Sequence, residues 1–153
     1  KKKKKYTLAA MMQLGLDAHV MIKDSAFKGP FGAMLRWMGA LPIARHKAGG
    51  VVEQTVAQFN SRDKLVMVVA PEGTRGGATQ WKTGFYRIAE RAGVPIVLAT
   101  ADYRKKEITF ARVIEPCGDM EKDLAEIFEC YASIHPRHPD KLSAPLKALR
   151  ERR

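Results

Sequence analysis

Residues 71–75, Pro-Glu-Gly-Thr-Arg, put a carboxylate, a glycine, a hydroxyl and a guanidinium into one turn, directly after an apolar run at 65–70. Glycine lets backbone approach a ligand closely, and arginine offers a planar fork suited to phosphate or carboxylate. The same residue types also make an ordinary surface turn closed by a Glu72–Arg75 ion pair. The neighbours favour an anion site. Lys82 lies just beyond a glycine-containing loop, Arg45 leaves a separate expected strand, and a helix expected from Gly84 would open with amide donors and a positive dipole end. The candidate anion-binding set is therefore Arg45, Glu72, Gly73, Thr74, Arg75 and Lys82.

Other groups promise less. His135 and His138 flank Pro136, which breaks any helix that would align two imidazoles, and no carboxylate or cysteine stands at ligand spacing, so no metal site is expected. Cys117 and Cys130 read as two thiols of a reducing compartment. Lys147, Arg150, Arg152 and Arg153 suit either anionic lipid or a solvated helix face, the latter being simpler. Phe31, Met34, Trp37 and Met38, with Met11 and Met12, could line an apolar groove, meet a bilayer or fill an ordinary core. Core is the expectation, because α/β domains bury such helices.

Positioning these residues requires alternating elements. Residues 6–14 read as a helix stopped by Gly15, and 18–22 as a short buried strand. Pro30 starts a helix to 38, and 41–45 is extended. Over 49–60, Val51, Val52, Val56 and Phe59 share one helical face, with Glu53, Gln54 and Gln58 opposite. The β-prone run 65–70 suits a central strand covered on both faces. Thr83 is placed to cap a helix with inner face Phe85, Ile88, Ala89 and Ala92, ended by Gly93. Strands at 95–101 and 107–114 follow, then a helix carrying Leu124, Ile127, Phe128 and Tyr131, and a short one from Ser143. This predicts an α/β fold, a layered α-β-α arrangement with a mixed, largely parallel sheet flanked by helices. In such sheets ligands collect at strand ends, where Glu72–Arg75 stand.

The 153 residues suffice for one domain with a substantial core, and residues 6–153 read as a single domain. The net charge is +11, of which Lys1–Lys5 supply five, leaving 11 − 5 = +6. That balance suits phospholipid head groups, phosphorylated metabolites or nucleic acid. Nucleic-acid binding is not expected, since exposed aromatics are not interleaved with the basic residues. The lysine run reads as an appended tag, scar or artefact rather than a lipid-binding arm, because an apolar element follows with no linker. No apolar stretch approaches the ~20 residues that span a bilayer, and nothing resembles a signal peptide. A cytoplasmic location is expected, peripheral to the inner face of the cytoplasmic membrane.

Residues 70–75 (Ala-Pro-Glu-Gly-Thr-Arg), 81–89 (Trp-Lys-Thr-Gly-Phe-Tyr-Arg-Ile-Ala) and 94–97 (Val-Pro-Ile-Val) resemble, in that order, blocks of the lysophosphatidate (1-acylglycerol-3-phosphate) acyltransferase family. Residues 39–45 resemble that family's preceding block, whose arginine follows a short strand, and 31–37 the apolar helix leading into it. The resemblance covers 6–115 and is weakest after His135. It implies transfer of an acyl group from a thioester, acyl-CoA or acyl carrier protein, to the hydroxyl of a lysophospholipid, with no metal or other cofactor. It also implies that Arg75 and Arg45 hold the acceptor phosphate, Gly73 and Thr74 shape and line the loop, and Glu72 orients the site.

The family's Asn-His-x-x-x-x-Asp motif supplies a histidine general base oriented by aspartate. Its place would be just before Tyr6, where five lysines stand, so no catalytic residue is assigned. His19 and Asp24 match the spacing only superficially: His19 falls inside an expected strand and lacks the preceding asparagine. His46 reads as an exposed loop histidine. The completeness of the other blocks suggests a chain lacking that segment, and inactive by itself, rather than a protein that has lost its chemistry. Two alternatives stay open, acylation of a phosphate-free lysolipid and a non-catalytic module binding anionic lipid or nucleic acid.

Overall fold

A run of β-branched and other apolar residues after Ala18 makes the first strand of a parallel sheet, and each neighbour returns through a helix. The computed structural model describes residues 18–44, 50–74 and 77–153. The expected helix at 6–14, with Met11 and Met12, the lysine run, Arg45, His46 and Arg75 lie outside the described residues. The chain divides into two units, residues 1–69 and 70–153.

In the first unit, β1 (Ala18–Lys23) lies between β2 (Ala40–Ile43) and β3 (Val66–Val68), parallel to both. Parallel neighbours need crossovers. These are α1 (Pro30–Trp37), preceded by a 3-10 turn at Asp24–Phe27, and α2 (Gly50–Asn60). Because the strands are parallel, the chain leaves β2 toward Ala44 and β3 toward Val69 at the same edge of the sheet. Phe27, Leu35 and Ala40 form the core, with Val20, Ile22 and Ala26 against it. Gly32 permits α1 to approach the preceding turn: a Cβ there would meet the Phe27 carbonyl oxygen at 2.0 Å.

Three expectations change here. The run at 65–70 supplies only three strand residues, on the outside of this sheet, with Val66 and Val69 exposed. Among the described strands β1 is the centre, with β2 on one side and β3 on the other. Gln54 does not face solvent. Its side-chain amide accepts from the Ala44 N–H at 3.1 Å and donates to the Ala44 carbonyl at 2.7 Å, clamping the end of β2 to α2. The large residues of α1 are also not core: Phe31, Met34, Trp37 and Met38 are all exposed.

In the second unit, α3 (Gly84–Ala92) ends at Gly93, which takes the left-handed conformation that closes a helix (φ 64°). β4 (Ile96–Asp102) and β5 (Glu107–Ile114) form an antiparallel ladder. α4 (Met120–Ala132), capped by Asp119 accepting from the Lys122 N–H, packs on β5, and α5 (Ala144–Glu151) packs on α4. Leu98, Ile114 and Ile127 are the core, with Trp81, Phe85 and Tyr131 against it. The α/β class holds, with a mostly parallel sheet flanked by helices; the antiparallel pair forms its own ladder.

Candidate functional site: the turn after β3

The turn that follows β3 is closed by its own backbone. The Gly73 N–H donates to the Ala70 carbonyl at 3.2 Å, and the Lys82 N–H donates to the Pro71 carbonyl at 2.9 Å. The second bond brings Lys82 back across the loop. Gly73 sits at φ 64°, a conformation glycine adopts at no cost. A Cβ at Gly73 would lie 3.0 Å from Lys82 Cε and 3.3 Å from Nζ, so the lysine side chain lies directly along this glycine. Glu72, Thr74, Lys82 and Thr83 line an open pocket of about 470 Å³, with Gln80 and Trp81. Four of the six candidate residues, Glu72, Gly73, Thr74 and Lys82, are thus together. Arg45 and Arg75 lie outside the described residues.

The opening of α3 borders this pocket through Thr83. The Thr83 carbonyl accepts from the amides of Tyr86 and Arg87, while its side chain makes no capping bond. Helix geometry leaves the Gly84 and Phe85 amides without intrahelical acceptors. The direction of α3 is set from its far side. The Tyr86 hydroxyl donates to Asp123 Oδ2 at 2.8 Å, and Asp123 also accepts from the Cys117 N–H at 2.9 Å and the Cys117 thiol at 3.2 Å. The Cys117 N–H chiefly holds the Asp123 carboxyl below its ordinary range, working against burial, with help from the Tyr86 hydroxyl. Burial and the adjacent carboxylate push the Tyr86 phenol up to about 12. Cys117 and Cys130 are both free thiols.

Sequence reasoning missed how the loop is fastened to the tail. Trp81 Nε1 donates to the Ser143 hydroxyl at 2.8 Å, and the indole packs edge-on against Phe128 and Tyr131. Ser143 occupies the cap position of α5 without making a capping bond. Its hydroxyl instead serves Trp81. The Gly77 N–H donates to the Lys141 carbonyl and the Ala144 N–H to the Ala78 carbonyl, so two adjacent residues of the glycine loop are tied to residues after 140. In the sequence Ser143 reads only as the start of a short helix. The tail cations are also internal fasteners: Lys147 Nζ donates to the Asp140 carbonyl, Arg150 to that of Ile134, and Arg153 pairs with Glu129.

Among the described residues, His19 and His135 are held by side-chain partners. His19 is buried on β1 with Nε2 3.2 Å from Arg62 Nη1, and Asp24 accepts from the Ser25 N–H in the following turn. His135 Nδ1 lies 3.2 Å from Asp102 Oδ2. That carboxylate also accepts from the amides of Lys105, His135 and Arg104, which hold it well below the usual range, the Lys105 amide most strongly. The pair ties the β4–β5 turn to the end of α4. Among the described residues no group of three or more His, Cys, Asp or Glu could hold a metal ion, and no helix is long and apolar enough to cross a membrane.

Comparison with known proteins fits this geometry to a family. No solved structure matches the chain. Over 98 residues it is 34% identical to 1-acyl-sn-glycerol-3-phosphate acyltransferase of Escherichia coli (strain K12), a match covering 60% of this chain and 40% of that protein. The chain thus spans less than half the length of that relative. The family model described as Acyltransferase matches residues 6–100, which include the turn after β3, Lys82 and all of α3. The chain belongs to the acyltransferase family.

Proposed function

We propose that the chain serves an O-acyltransferase of phospholipid biosynthesis, moving a fatty acyl group from acyl-CoA or acyl carrier protein to the hydroxyl of lysophosphatidate or a close relative. The turn after β3 holds the acceptor by its phosphate. The observation that carries this reading is the Lys82 side chain laid along Gly73, in a pocket that also takes in Glu72 and Thr74. An ammonium beside a side-chain-free turn makes room for phosphate oxygens and supplies charge-assisted hydrogen bonds. The Thr74 hydroxyl lines the same pocket, and the amides opening α3 add donors. Arg75, next in sequence, is assigned to the same phosphate, and Arg45 keeps only the acceptor-binding role that the family resemblance implies. Glu72 orients the basic groups.

In the reaction the acceptor oxygen attacks the thioester carbonyl, the new C–O bond forms, and the C–S bond breaks to release the thiol. The hydroxyl proton passes to a general base. This sequence contains no Asn-His-x-x-x-x-Asp, so the residues named here are given acceptor-binding roles only. Binding energy at the phosphate serves the chemistry by fixing the hydroxyl in place. In a catalytically competent form of the protein, Arg75→Ala raises the acceptor KM or lowers kcat/KM for lysophosphatidate; unchanged kinetics would remove Arg75 from the site.

A further inference from the structure

We infer that the outward side of α1 is a docking surface for an anionic lipid bilayer. This deepens the function proposed above by naming the surface on which a lysolipid acceptor is met, and it is read by binding alone. Phe31 is 57% exposed, Met34 42%, Trp37 87% and Met38 41%. At about 100° per residue the four fall within an arc of roughly 120°. Leu35 and Gly32, next round the helix from Phe31, are buried. The packing needs of α1 are met by those two residues, so the outward four form an apolar patch rather than part of the core. Indole and phenyl groups settle at the head-group level of a bilayer, beside adaptable thioethers.

Charge selects the occupant. Lys23 and Lys28 are exposed just before α1, and the Arg36 guanidinium on the helix lies 5.5 Å from the centre of the Phe27 ring. Between Lys23 and Met38 the one acid is Asp24, so the stretch carries +3 − 1 = +2. The exposed Lys23 and Lys28, just before the helix that carries the apolar patch, complement anionic phospholipid. A second copy would bring a chain that keeps a net charge of +6 without Lys1–Lys5 against another of the same sign. A narrow acyl-chain groove would enclose Trp37, which is instead the most exposed of the four.

The test is partition onto vesicles of phosphatidylglycerol and phosphatidylethanolamine, compared with phosphatidylcholine alone. All proteins carry Lys1–Lys5 changed to serine, since that run attracts anionic lipid by itself. The parent is expected to co-float with the anionic vesicles and to show a blue shift in tryptophan emission. Trp37→Phe abolishes the shift, because Trp81 is already packed and bonded to Ser143. Phe31→Ser with Met34→Ser and Trp37→Ser lowers partition at least tenfold, with an unchanged circular dichroism spectrum. Lys28→Glu lowers it severalfold while leaving the apolar patch intact. Partition equal to the parent in the triple variant overturns the proposal. So does a dimer that forms without lipid and vanishes in that variant, or a Trp37 shift seen only with monomeric lysolipid. Equal affinity for hexanoyl lysophosphatidate and monohexanoylglycerol while partition behaves as stated would overturn the proposed acceptor site and leave this surface standing.

Discussion

Substituting Gly73 by alanine separates the shape of the turn from the placement of the cation that lies on it. At φ 64° an alanine costs about 1–2 kcal/mol in backbone strain. Its Cβ would also stand 3.0 Å from Lys82 Cε, 3.2 Å from Cδ and 3.3 Å from Nζ. Those atoms are the far end of a flexible chain, so the side chain swings aside and the fold survives. Holding Lys82 off its present rotamer costs about 0.5–1.5 kcal/mol, which as lost phosphate affinity is roughly 2- to 10-fold. Gly77→Ala is the matched control, with φ 45° and nothing within 4 Å of a Cβ. Both variants should lose about 1–2 kcal/mol of stability in urea titrations. In calorimetric titration with hexanoyl lysophosphatidate only Gly73→Ala should bind more weakly. Equal losses of affinity in the two variants, or full affinity in Gly73→Ala, would refute the reasoning.

Ser143→Ala removes the acceptor for the half-buried Trp81 N–H and should cost about 1–3 kcal/mol; adding Trp81→Phe should cost less than the two single losses summed, measured as a double-mutant cycle in urea. Gln54→Ala strips both backbone partners from Ala44 and should lower stability by roughly 1–3 kcal/mol, read in the same way. Because the folded state depresses the Asp123 carboxyl, its stabilisation is complete above the unfolded value of about 3.9 and is lost as pH falls from there through the folded value. Asp123→Asn should therefore be less stable at neutral pH and should flatten the acid limb of the stability profile below about pH 4, followed by circular dichroism.

Strands and helix ends were legible where one residue type dictates backbone. The apolar run at 18–22, Pro30 at a helix start and Gly93 at a helix end all occur as their chemistry requires. The direction a face points was not legible. Periodicity says that Phe31, Met34 and Met38 share a side of α1, but not whether anything packs there. Gln54 misled for the converse reason: a polar side chain reads as solvated until a strand end brings an unpaired backbone N–H and carbonyl beside it. The turn residues Glu72, Gly73 and Thr74 were readable because their types are unusual together. The fastening of Trp81 to Ser143 was not, since it links residues 62 positions apart through a hydroxyl at the start of a helix.

The central claim is that the turn after β3 recognises a phosphate, and paired titrations test it most directly. This chain is titrated with hexanoyl lysophosphatidate and with monohexanoylglycerol, which lacks the phosphate, at fixed ionic strength. The phosphate-bearing ligand should bind at least ~10-fold more tightly, the scale of one charge-assisted hydrogen bond, and Lys82→Met should erase most of that difference. Equal affinity for the two ligands, or a preference untouched by Lys82→Met, would contradict the account.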